Sequence, residues 1–415
     1  MTGIHLGLIF RKIQVHPILT IINILCLSAG FVTILFISLW IRDELSYDKF
    51  HPSHENIYRL SIKVDNPKSG HYSHFARSYF PWVYEIKDKI PGINEIARLS
   101  FRKNYIIMTP GKEAFRAEII LTDQSVFDVF WFHFLEGNSA EAFTKPFSII
   151  LTKSAAKKYF GDENPMGKTL DVYCDRCIER KAYTIAGVVD DYPNNSHFRF
   201  DIIGNIDNPE DFSDWAYYYL KLDEKTSPSD ILNNFASFSS GFLPEEDVRT
   251  LTPDLQSIAD IHLKSDKDRE ILENGNYSNI WLFLGLSGFI LFVALFNFIN
   301  VRQVSLLKNS KSLSVMRIHG ASPSLLLLLQ LAESFILSII SLFLAIIFLI
   351  FLLPAFNHFA SKDISLLQIL NSAEWWAIIL ALLLLSVLTG VYPFLYSVFK
   401  NKLRSGRSLF SNPAS

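Results

Sequence analysis

The chain has 415 residues, of which 49% are hydrophobic and 19% charged, and its formal net charge is −2. This length would suffice for two or three soluble domains, but the apolar residues are concentrated in four long runs. That concentration argues against a wholly soluble protein, and the near-neutral charge gives no indication of a nucleic-acid partner.

Each of the four apolar runs is long enough to cross a bilayer, whose hydrocarbon core of about 30 Å needs about 20 helical residues. The runs are Ile18 to Ile41, Ile280 to Val301, Leu325 to Leu353 and Trp375 to Phe399, and Glu333 is the one charged residue within them. We therefore predict transmembrane helices at residues 17–41, 280–301, 325–353 and 375–399. The first run is longer than the core of a signal peptide, about 7–15 residues, so we interpret it as a retained anchor.

Basic residues are separated from acidic ones along the chain. Three segments contain basic residues and no acidic ones: the segment before the first run, the one between the second and third, and the one after the fourth. Their basic residues are Arg11, Lys12, Arg302, Lys308, Lys311, Arg317, Lys400, Lys402, Arg404 and Arg407. The segment from Arg42 to Asn279 contains 28 basic and 38 acidic residues. Because Lys and Arg near membrane helices favour the cytoplasmic side, we predict that residues 1–16, 302–324 and 400–415 are cytoplasmic. Residues 42–279 then form an outer domain, and 354–374 a short outer loop.

The outer segment alternates strand and helix patterns, which predicts a mixed α/β domain. Strands are predicted at Ile57–Val64, Tyr105–Met108, Ala117–Leu121, Ser148–Leu151, Tyr183–Val189, Trp215–Leu222 and Ile258–Leu263. Helices are predicted at Tyr79–Ile90, at Ser154–Phe160 with Thr152 or Ser154 as cap and Gly161 as stop, and from about Ser229. The predicted fold class is an α-helical membrane protein with four transmembrane helices and a mixed α/β extracytoplasmic domain inserted between the first and second.

Two cysteines of the outer segment, Cys174 and Cys177, are separated by two residues in a predicted hairpin loop. A local disulfide is the preferred interpretation, since disulfides persist outside the cytoplasm, and two free thiols are the main alternative. A thioredoxin-like redox pair is less favoured because no helix begins at the first cysteine. A zinc site is disfavoured because no second Cys or His pair follows at ligand spacing.

The sequence contains no recognisable catalytic set, and we predict no enzyme activity, metal site or cofactor. Gly161 to Thr169 resembles a phosphate-binding loop but has five residues, not four, between its glycines, and it follows a helix. A turn is the simpler interpretation. Asp190 and Asp191 are adjacent, so in extended backbone their side chains point apart and do not form an acid/base pair.

Several stretches resemble the permease subunits of type VII ABC transporters, the MacB/FtsX-like family. Leu45 to Leu60 (LSYDKFHPSHENIYRL) is similar to a signature of Bacteroidota permeases, and Phe147 to Leu170 and Ile185 to Asp201 resemble the outer core domain of the family. Short motifs around the second and third spans also match: Asp260 to Leu263 (DIHL), Phe296 to Asn300 (FNFIN), Gly320 to Ser322 (GAS) and Glu333-Ser334 (ES). The resemblance covers nearly the whole chain and implies a single four-span unit with a MacB-like periplasmic core domain.

The resemblance implies that residues 302–324 form a coupling loop that docks on a separate ATPase. The family form resembles KEIGVRKxLGAS, and the implied contact residues are Lys308, Lys311, Leu313, Val315, Met316, Arg317, Gly320, Ala321 and Ser322. This sequence departs from that form at Ser312, Ser314, Met316 and His319. The spacing of Leu313, Met316 and His319 places them on one helical face. A basic loop that only sets orientation remains the alternative.

Glu333 lies about nine residues into the third span, about 13 Å from its cytoplasmic end. An unpartnered carboxylate at that depth is costly. Asn297 and Asn300 lie near the cytoplasmic end of the second span, and Gln330 is one turn from Glu333. We predict that Glu333 faces these amides rather than lipid, either as a hinge that transmits motion or as a packing bond between helices.

The resemblance implies a permease that acts by mechanotransmission. A separate cytoplasmic ATPase would hydrolyse ATP, and the movement of periplasmic domains would export or extrude a lipoprotein, peptide or drug-like substrate. The alternatives are an FtsX-like subunit that regulates a periplasmic partner without transport, and a membrane-anchored binding protein without an ATPase. The implied location is the bacterial inner membrane, with an amphipathic elbow at residues 1–16. A second permease unit, as homo- or heterodimer, is an implied partner, and a periplasmic adaptor is a further candidate.

Overall fold

The computed structural model describes residues 17–66, 71–79, 83–108, 114–174, 180–205, 215–239, 251–360, 362–365 and 373–408. The chain divides into two compact units. The membrane unit comprises Met1–Asp43 and Ser278–Ser415, and the outer unit comprises Glu44–Tyr277. The predicted elbow at residues 1–16 lies outside the described residues.

The elements are named here in chain order. The helices are α1 (Pro17–Leu45), α2 (Glu85–Lys89), α3 (Val126–Val129), α4 (Lys153–Phe160), α5 (Pro228–Ser239), α6 (Ile258–Lys264), α7 (Tyr277–Lys308), α8 (Ser310–Ile318), α9 (Pro323–Ala360) and α10 (Ala373–Ser408). The strands are β1 (Ile57–Asn66), β2 (His71–Phe75), β3 (Ile93–Met108), β4 (Phe115–Thr122), β5 (Phe134–Glu136), β6 (Ser148–Thr152), β7 (Thr169–Cys174), β8 (Arg180–Val189), β9 (Ile202–Asn205), β10 (Tyr217–Leu222) and β11 (Leu251–Ser257).

Among the described residues, four helices are long and apolar enough to cross a membrane: α1, α7, α9 and α10. The four predicted transmembrane helices are therefore confirmed. Their shared core contains buried Leu and Phe side chains from all four helices, including Leu35, Phe298, Leu337 and Leu382. Each helix also has a strongly exposed apolar surface, for example Phe351 on α9 at 80%, which suits contact with lipid.

The eleven described strands of the outer unit form one sheet around the long strand β3. The order is β11-β1-β10-β3-β4-β9-β6-β8-β5, with β2 paired to β1 and β7 paired to β3 and β8. Two neighbouring pairs, β4 with β9 and β6 with β8, are parallel, and the other described pairs are antiparallel. This arrangement confirms a mixed α/β domain.

Helices cover the sheet where their apolar side chains can be buried. Ile231 and Phe235 of α5 pack in the core formed with β1, β3 and β10. Ala155 and Tyr159 of α4, one helical turn apart, pack in the core formed with β6 and β8. Each of these helices therefore fixes a different part of the sheet.

The local signals around α4 were predicted correctly. The hydroxyl oxygen of Thr152 caps the helix by accepting a hydrogen bond from the amide of Ala155 at 3.2 Å. Gly161 ends it with a φ of +70°, a conformation that favours glycine. The stretch Gly161 to Thr169 is a turn that leads into β7, so the resemblance to a phosphate-binding loop carries no structural support.

Two element predictions were wrong. Ile258–Leu263 was predicted as the last strand, but it belongs to helix α6, and β11 before it is the last described strand of this unit. Ile258, Ile261 and His262 are buried in α6 at helical spacing, and a short apolar run does not distinguish helix from strand. The helix predicted at Tyr79–Ile90 is shorter, because α2 begins at Glu85; residues 80–82 are outside the described part.

Candidate coupling site

The segment between α7 and α9 folds as the nine-residue helix α8. Its last turn is closed by Gly320, whose amide donates to the carbonyl of Arg317 at 3.0 Å and whose φ is +86°. The hydroxyl of Ser322 then accepts a hydrogen bond from the amide of Leu325 at 3.3 Å and so caps the start of α9. Gly320 and Ser322 of the GAS motif therefore stop one helix and start the next.

Most of the predicted ATPase-contact residues lie on the exposed surface of α8 and its flanking turns. Lys308, Lys311, Val315, Arg317, Gly320 and Ser322 are exposed, Met316 and Ala321 are half-buried, and the side chain of Leu313 lies outside the described part. Val315 is 52% exposed and Ile318 is 82% exposed. Two outward apolar side chains on a basic helix suit contact with another protein. The sequence interpretation missed Ile318, although it follows Val315 by three residues, which is helical spacing.

A buried group of polar side chains joins α7 to α9; we call Arg302, Gln330, Glu333 and Ser334 the polar cluster. Arg302 Nη1 lies 2.5 Å from Glu333 Oε1, and the two side chains are 3% and 8% exposed. Arg302 Nη2 also donates to Ser334 Oγ at 3.3 Å, and the amide oxygen of Gln330, in its hydrogen-bonded orientation, accepts from Arg302. One guanidinium therefore bonds three side chains of the neighbouring helix, which is the geometry its planar donors favour.

The predicted partners of Glu333 were partly wrong. Asn297 is half-buried and Asn300 is exposed, and no described hydrogen bond joins either amide to Glu333. Arg302 takes that place because α7 continues to Lys308, seven residues beyond the end of its apolar run. The sequence interpretation had assigned Arg302 to the loop. A buried cation stabilises a carboxylate more strongly than a neutral amide does.

Small residues bring a third helix into contact with the polar cluster. A Cβ on Gly390 of α10 would meet Ser334 Oγ at 2.5 Å and Phe298 Cε1 at 2.6 Å, so only glycine fits there without movement. One turn earlier on α10, the hydroxyl of Ser386 donates to Ser338 Oγ at 2.7 Å in the buried interface with α9. The sequence signal that could have found this contact is the small-residue pattern of packed membrane helices.

In the outer unit, the motif after α1 is anchored to the motif after β8. Asp48 is fully buried, and its Oδ1 lies 2.9 Å from His197 Nδ1 and accepts from Ser196 Oγ at 2.8 Å. Asp48 adopts a φ of +58°, and its amide donates to the carbonyl of Asn195 at 2.9 Å. These contacts join the two stretches LSYDKFH and YPNNSHF, which the sequence comparison had identified separately.

A second buried pair fixes α6 to the residues at the end of α1. His262 Nε2 lies 2.6 Å from Glu44 Oε2, and the imidazole stacks on the ring of Tyr47 at a centroid distance of 3.4 Å. A Cβ on Gly275 would meet His262 Nε2 at 2.7 Å. The first and last residues of the outer unit are therefore joined by a compact polar contact.

The other predicted sites of the outer unit have different outcomes. The side chain of Cys174 and all of Cys177 lie outside the described part, although β7 and β8 do form the antiparallel pair expected around them. Asp190 and Asp191 contact different partners, His133 and Ser154, as extended backbone predicts. Within the described residues, no cluster of His, Cys, Asp and Glu has the arrangement of a metal site.

The family model of the MacB-like periplasmic core domain matches residues 20–237, and that of the FtsX-like permease C-terminal region matches residues 284–402. The first of these covers more than half of the chain. The chain belongs to the MacB/FtsX-like family of ABC transporter permeases. As such a permease it is a multi-pass membrane protein, and its family implies a cytoplasmic ATPase partner and surrounding lipid.

Three solved structures are similar to about half of this permease. A domain of a putative permease protein from Porphyromonas gingivalis shares 19% identity over 50% of this chain and 92% of its own, with a TM-score of 0.42. The periplasmic region of MacB from Actinobacillus actinomycetemcomitans shares 15% identity over 50% and 90%, with a TM-score of 0.35. The extracellular domain of the noncanonic ABC-type transporter YknZ from Gram-positive bacteria shares 11% over 48% and 100%, with a TM-score of 0.36. No curated protein sequence matched.

Proposed function

We propose that this permease acts by mechanotransmission, in which ATP hydrolysis by a separate cytoplasmic ATPase moves α8 and, through it, the periplasmic domain. The cargo would be exported or extruded and would be a lipoprotein, a peptide or a drug-like molecule. The observation that carries the proposal is the position of α8. This exposed basic helix carries two outward apolar side chains, and it connects two helices, α7 and α9, that a buried ion pair joins.

The contact with the ATPase would use both the apolar and the basic side chains of α8. Val315 and Ile318 supply exposed apolar area, and its burial against a partner would contribute about 25 cal/mol of binding free energy per Å². Lys311 and Arg317 supply positive charge on the same exposed helix, which would increase the association rate with an acidic surface. A loop that only sets membrane orientation would need the charges but not the exposed Ile318.

The polar cluster would transmit the movement of α8 to two helices together. Arg302 lies six residues before the end of α7, about 9 Å along the helix axis, and Glu333 lies ten residues after the start of α9, about 15 Å. Because both helices are joined at this depth, a displacement of α8 would be carried by α7 and α9 as a pair. In the outer unit, the Glu44–His262 and Asp48–His197 pairs would keep the domain rigid under that displacement.

The proposed location is the bacterial inner membrane, with both termini and α8 in the cytoplasm and the outer unit in the periplasm. All the charged residues within 302–324 and 400–415 are basic, which supports this orientation. We further propose a dimer in which a second permease unit packs on the exposed face of α7. Leu282 and Phe289 on that face are both 64% exposed. A periplasmic adaptor would be an additional partner.

The test is site-specific photo-crosslinking of the full-length protein in its native membrane. A photo-reactive benzoylphenylalanine replaces Ile318 in one variant and Lys157, exposed on α4 of the outer unit, in the control variant. We expect mass spectrometry to identify an ATP-binding protein crosslinked at position 318 and not at position 157. Crosslinking of an ATPase at 157, or of none at 318 while other cytoplasmic proteins are captured there, would refute the proposal.

A further inference from the structure

The outer unit contains a cleft that no part of the proposed coupling mechanism uses. It has a volume of about 350 Å³ and is lined by Phe50, Trp131, Phe132, His133, Lys153, Val189, Asp190, Asp191, Tyr192 and Pro193. This volume lies at the lower end of the range of ligand pockets, about 300–1,000 Å³.

The cleft lies where topology favours a binding site. Strands β6 and β8 are parallel neighbours, with Thr152 opposite Val189 at their carboxyl ends. The cleft is lined by the residues that follow those ends, which are Lys153 after β6 and Asp190 to Pro193 after β8. Ligands of α/β sheets commonly bind at the carboxyl ends of parallel strands, because the chain leaves the sheet there and opens a crevice.

Four aromatic side chains give the cleft an apolar wall. Phe50 and Phe132 each contact Tyr192, with ring centroids 5.4 Å and 5.6 Å apart. Trp131 is 47% exposed and lies over the His133 ring at 6.0 Å and an interplanar angle of 18°. An indole exposed to this extent inside a cleft offers a flat surface for an aromatic or acyl group.

Buried His51 fixes this wall from behind. Its Nδ1 accepts a hydrogen bond from the amide of Trp131 at 3.1 Å, which leaves Nε2 as the protonated nitrogen, 3.2 Å from the hydroxyl of Tyr192. Burial lowers the pKa of His51 to about 4, so the imidazole is neutral near pH 7 and this tautomer is maintained. His51 therefore links the backbone of Trp131 to the side chain of Tyr192 behind the cleft.

Each acidic side chain of the cleft has a hydrogen-bonding partner, whereas two donors are open among the described residues. Asp190 Oδ2 lies 2.5 Å from His133 Nδ1. Asp191 accepts from the amide and the hydroxyl of Ser154 at 2.8 Å and 2.6 Å. Within the described part of the chain, the ammonium of Lys153 and the indole N–H of Trp131 form no hydrogen bond or ion pair. The ammonium of Lys153 and the indole N–H of Trp131 are thus the donors available to a ligand.

We propose that this cleft is a binding site for a small organic carboxylate on an aromatic or apolar body. The carboxylate would accept hydrogen bonds from Lys153 and from the indole of Trp131, and the body would pack against Phe50 and Tyr192. This site is separate from α8 and the polar cluster, so it would give the outer unit a ligand of its own.

The test uses three probes that share one body and differ in the polar group. They are 3-(4-fluorophenyl)propionate, the corresponding primary amide and the corresponding primary amine. Binding to the full-length protein in lipid nanodiscs is measured by ¹⁹F NMR line broadening, with empty nanodiscs as the blank. A fragment of this size requires probe concentrations of up to about 10 mM. We expect the carboxylate to bind about two- to five-fold more tightly than the amide, and the amine to bind most weakly.

Variants then assign the binding to the cleft. Lys153→Met should weaken carboxylate binding about two- to five-fold, because Lys153 is exposed and an exposed ion pair contributes less than about 1 kcal/mol. Trp131→Phe, which keeps a ring but lacks the N–H, should weaken it about two- to ten-fold. The matched control is Lys157→Met on the same helix, outside the cleft lining, which should have no effect.

Three results would overturn the proposal. The first is the absence of carboxylate binding at the highest probe concentration. The second is carboxylate binding that survives Lys153→Met unchanged. The third is stronger binding of the amine, which would assign a cation site to the same aromatic wall. The two variants lie on the exposed surface of the cleft, and unchanged thermal unfolding would verify that they fold.

Discussion

Removing one partner of the Arg302–Glu333 pair should destabilise the membrane unit far more than removing both. In Glu333→Leu the guanidinium of Arg302 stays buried without its carboxylate, and loss of one member of a buried pair costs about 3–5 kcal/mol. Arg302 still has Ser334 and Gln330 as acceptors, so we expect the lower end, about 3 kcal/mol. The double variant Arg302→Met/Glu333→Leu leaves no buried charge and should be less destabilised than Glu333→Leu alone.

The assay is a double-mutant cycle on the free energy of unfolding of the full-length protein, measured by denaturant titration in mixed micelles. We expect a coupling energy of at least about 2 kcal/mol for Arg302 and Glu333. The matched control is the pair Arg42–Glu374 in the same unit, which is 3.7 Å apart and has side chains 43% and 76% exposed. Exposed pairs couple by less than about 1 kcal/mol. Additive effects at Arg302 and Glu333 would show that the pair does not join α7 to α9 energetically, and the transmission argument would fail.

Two further predictions test the packing of α10 and the pH response of the outer unit. Gly390→Ala should destabilise the membrane unit by about 1–3 kcal/mol, because the added methyl group overpacks the contact between α9 and α10. The control Gly288→Ala on α7 should not destabilise it, because no atom lies within 4 Å of the added Cβ. Equal effects of the two variants in thermal unfolding would contradict the close approach at Gly390. Burial lowers the pKa of His51 to about 4 in the folded chain, whereas its ordinary value is 6.5. Between these two pH values the unfolded chain binds the proton more readily than the folded chain does. The free energy of unfolding should therefore fall by up to about 3 kcal/mol as the pH drops from about 6.5 to about 4. His51→Gln should flatten that part of the pH profile and the control His54→Gln should not; a slope unchanged in His51→Gln would show that this imidazole is not the group responsible.

The sequence predicted the membrane helices well because their signal is compositional and extends over more than 20 residues. It could not predict where they end, since an amphipathic continuation of a transmembrane helix has the same polar residues as a loop. Arg302 shows the consequence, because a cation just after an apolar run was interpreted as a topological signal and is in fact buried. The partner of Glu333 depended on that interpretation.

In the outer unit, predictions succeeded where one local rule decides the structure and failed where tertiary contacts decide it. The cap at Thr152 and the stop at Gly161 are local, and both were correct. The stretch at Ile258 buries Ile258, Ile261 and His262 at helical spacing, and the partner of His262, Glu44, is 218 positions away in the chain. No pattern within the stretch itself contains that information.

The departures of α8 from the family pattern bear directly on how it would dock. Ser314 donates its hydroxyl hydrogen to the carbonyl of Ser310 at 2.9 Å, and His319 Nδ1 lies 2.9 Å from the carbonyl of Val315. These side chains therefore satisfy the backbone of their own helix and have less capacity left for a partner. With serine in place of the usual glutamate at 312, α8 has also lost a carboxylate that could pair with a cation on an ATPase. Lys311 and Arg317 would then act mainly on the association rate. The affinity would come mainly from the apolar pair Val315 and Ile318, so a salt increase that weakens charged interfaces should leave the crosslink at position 318 largely intact.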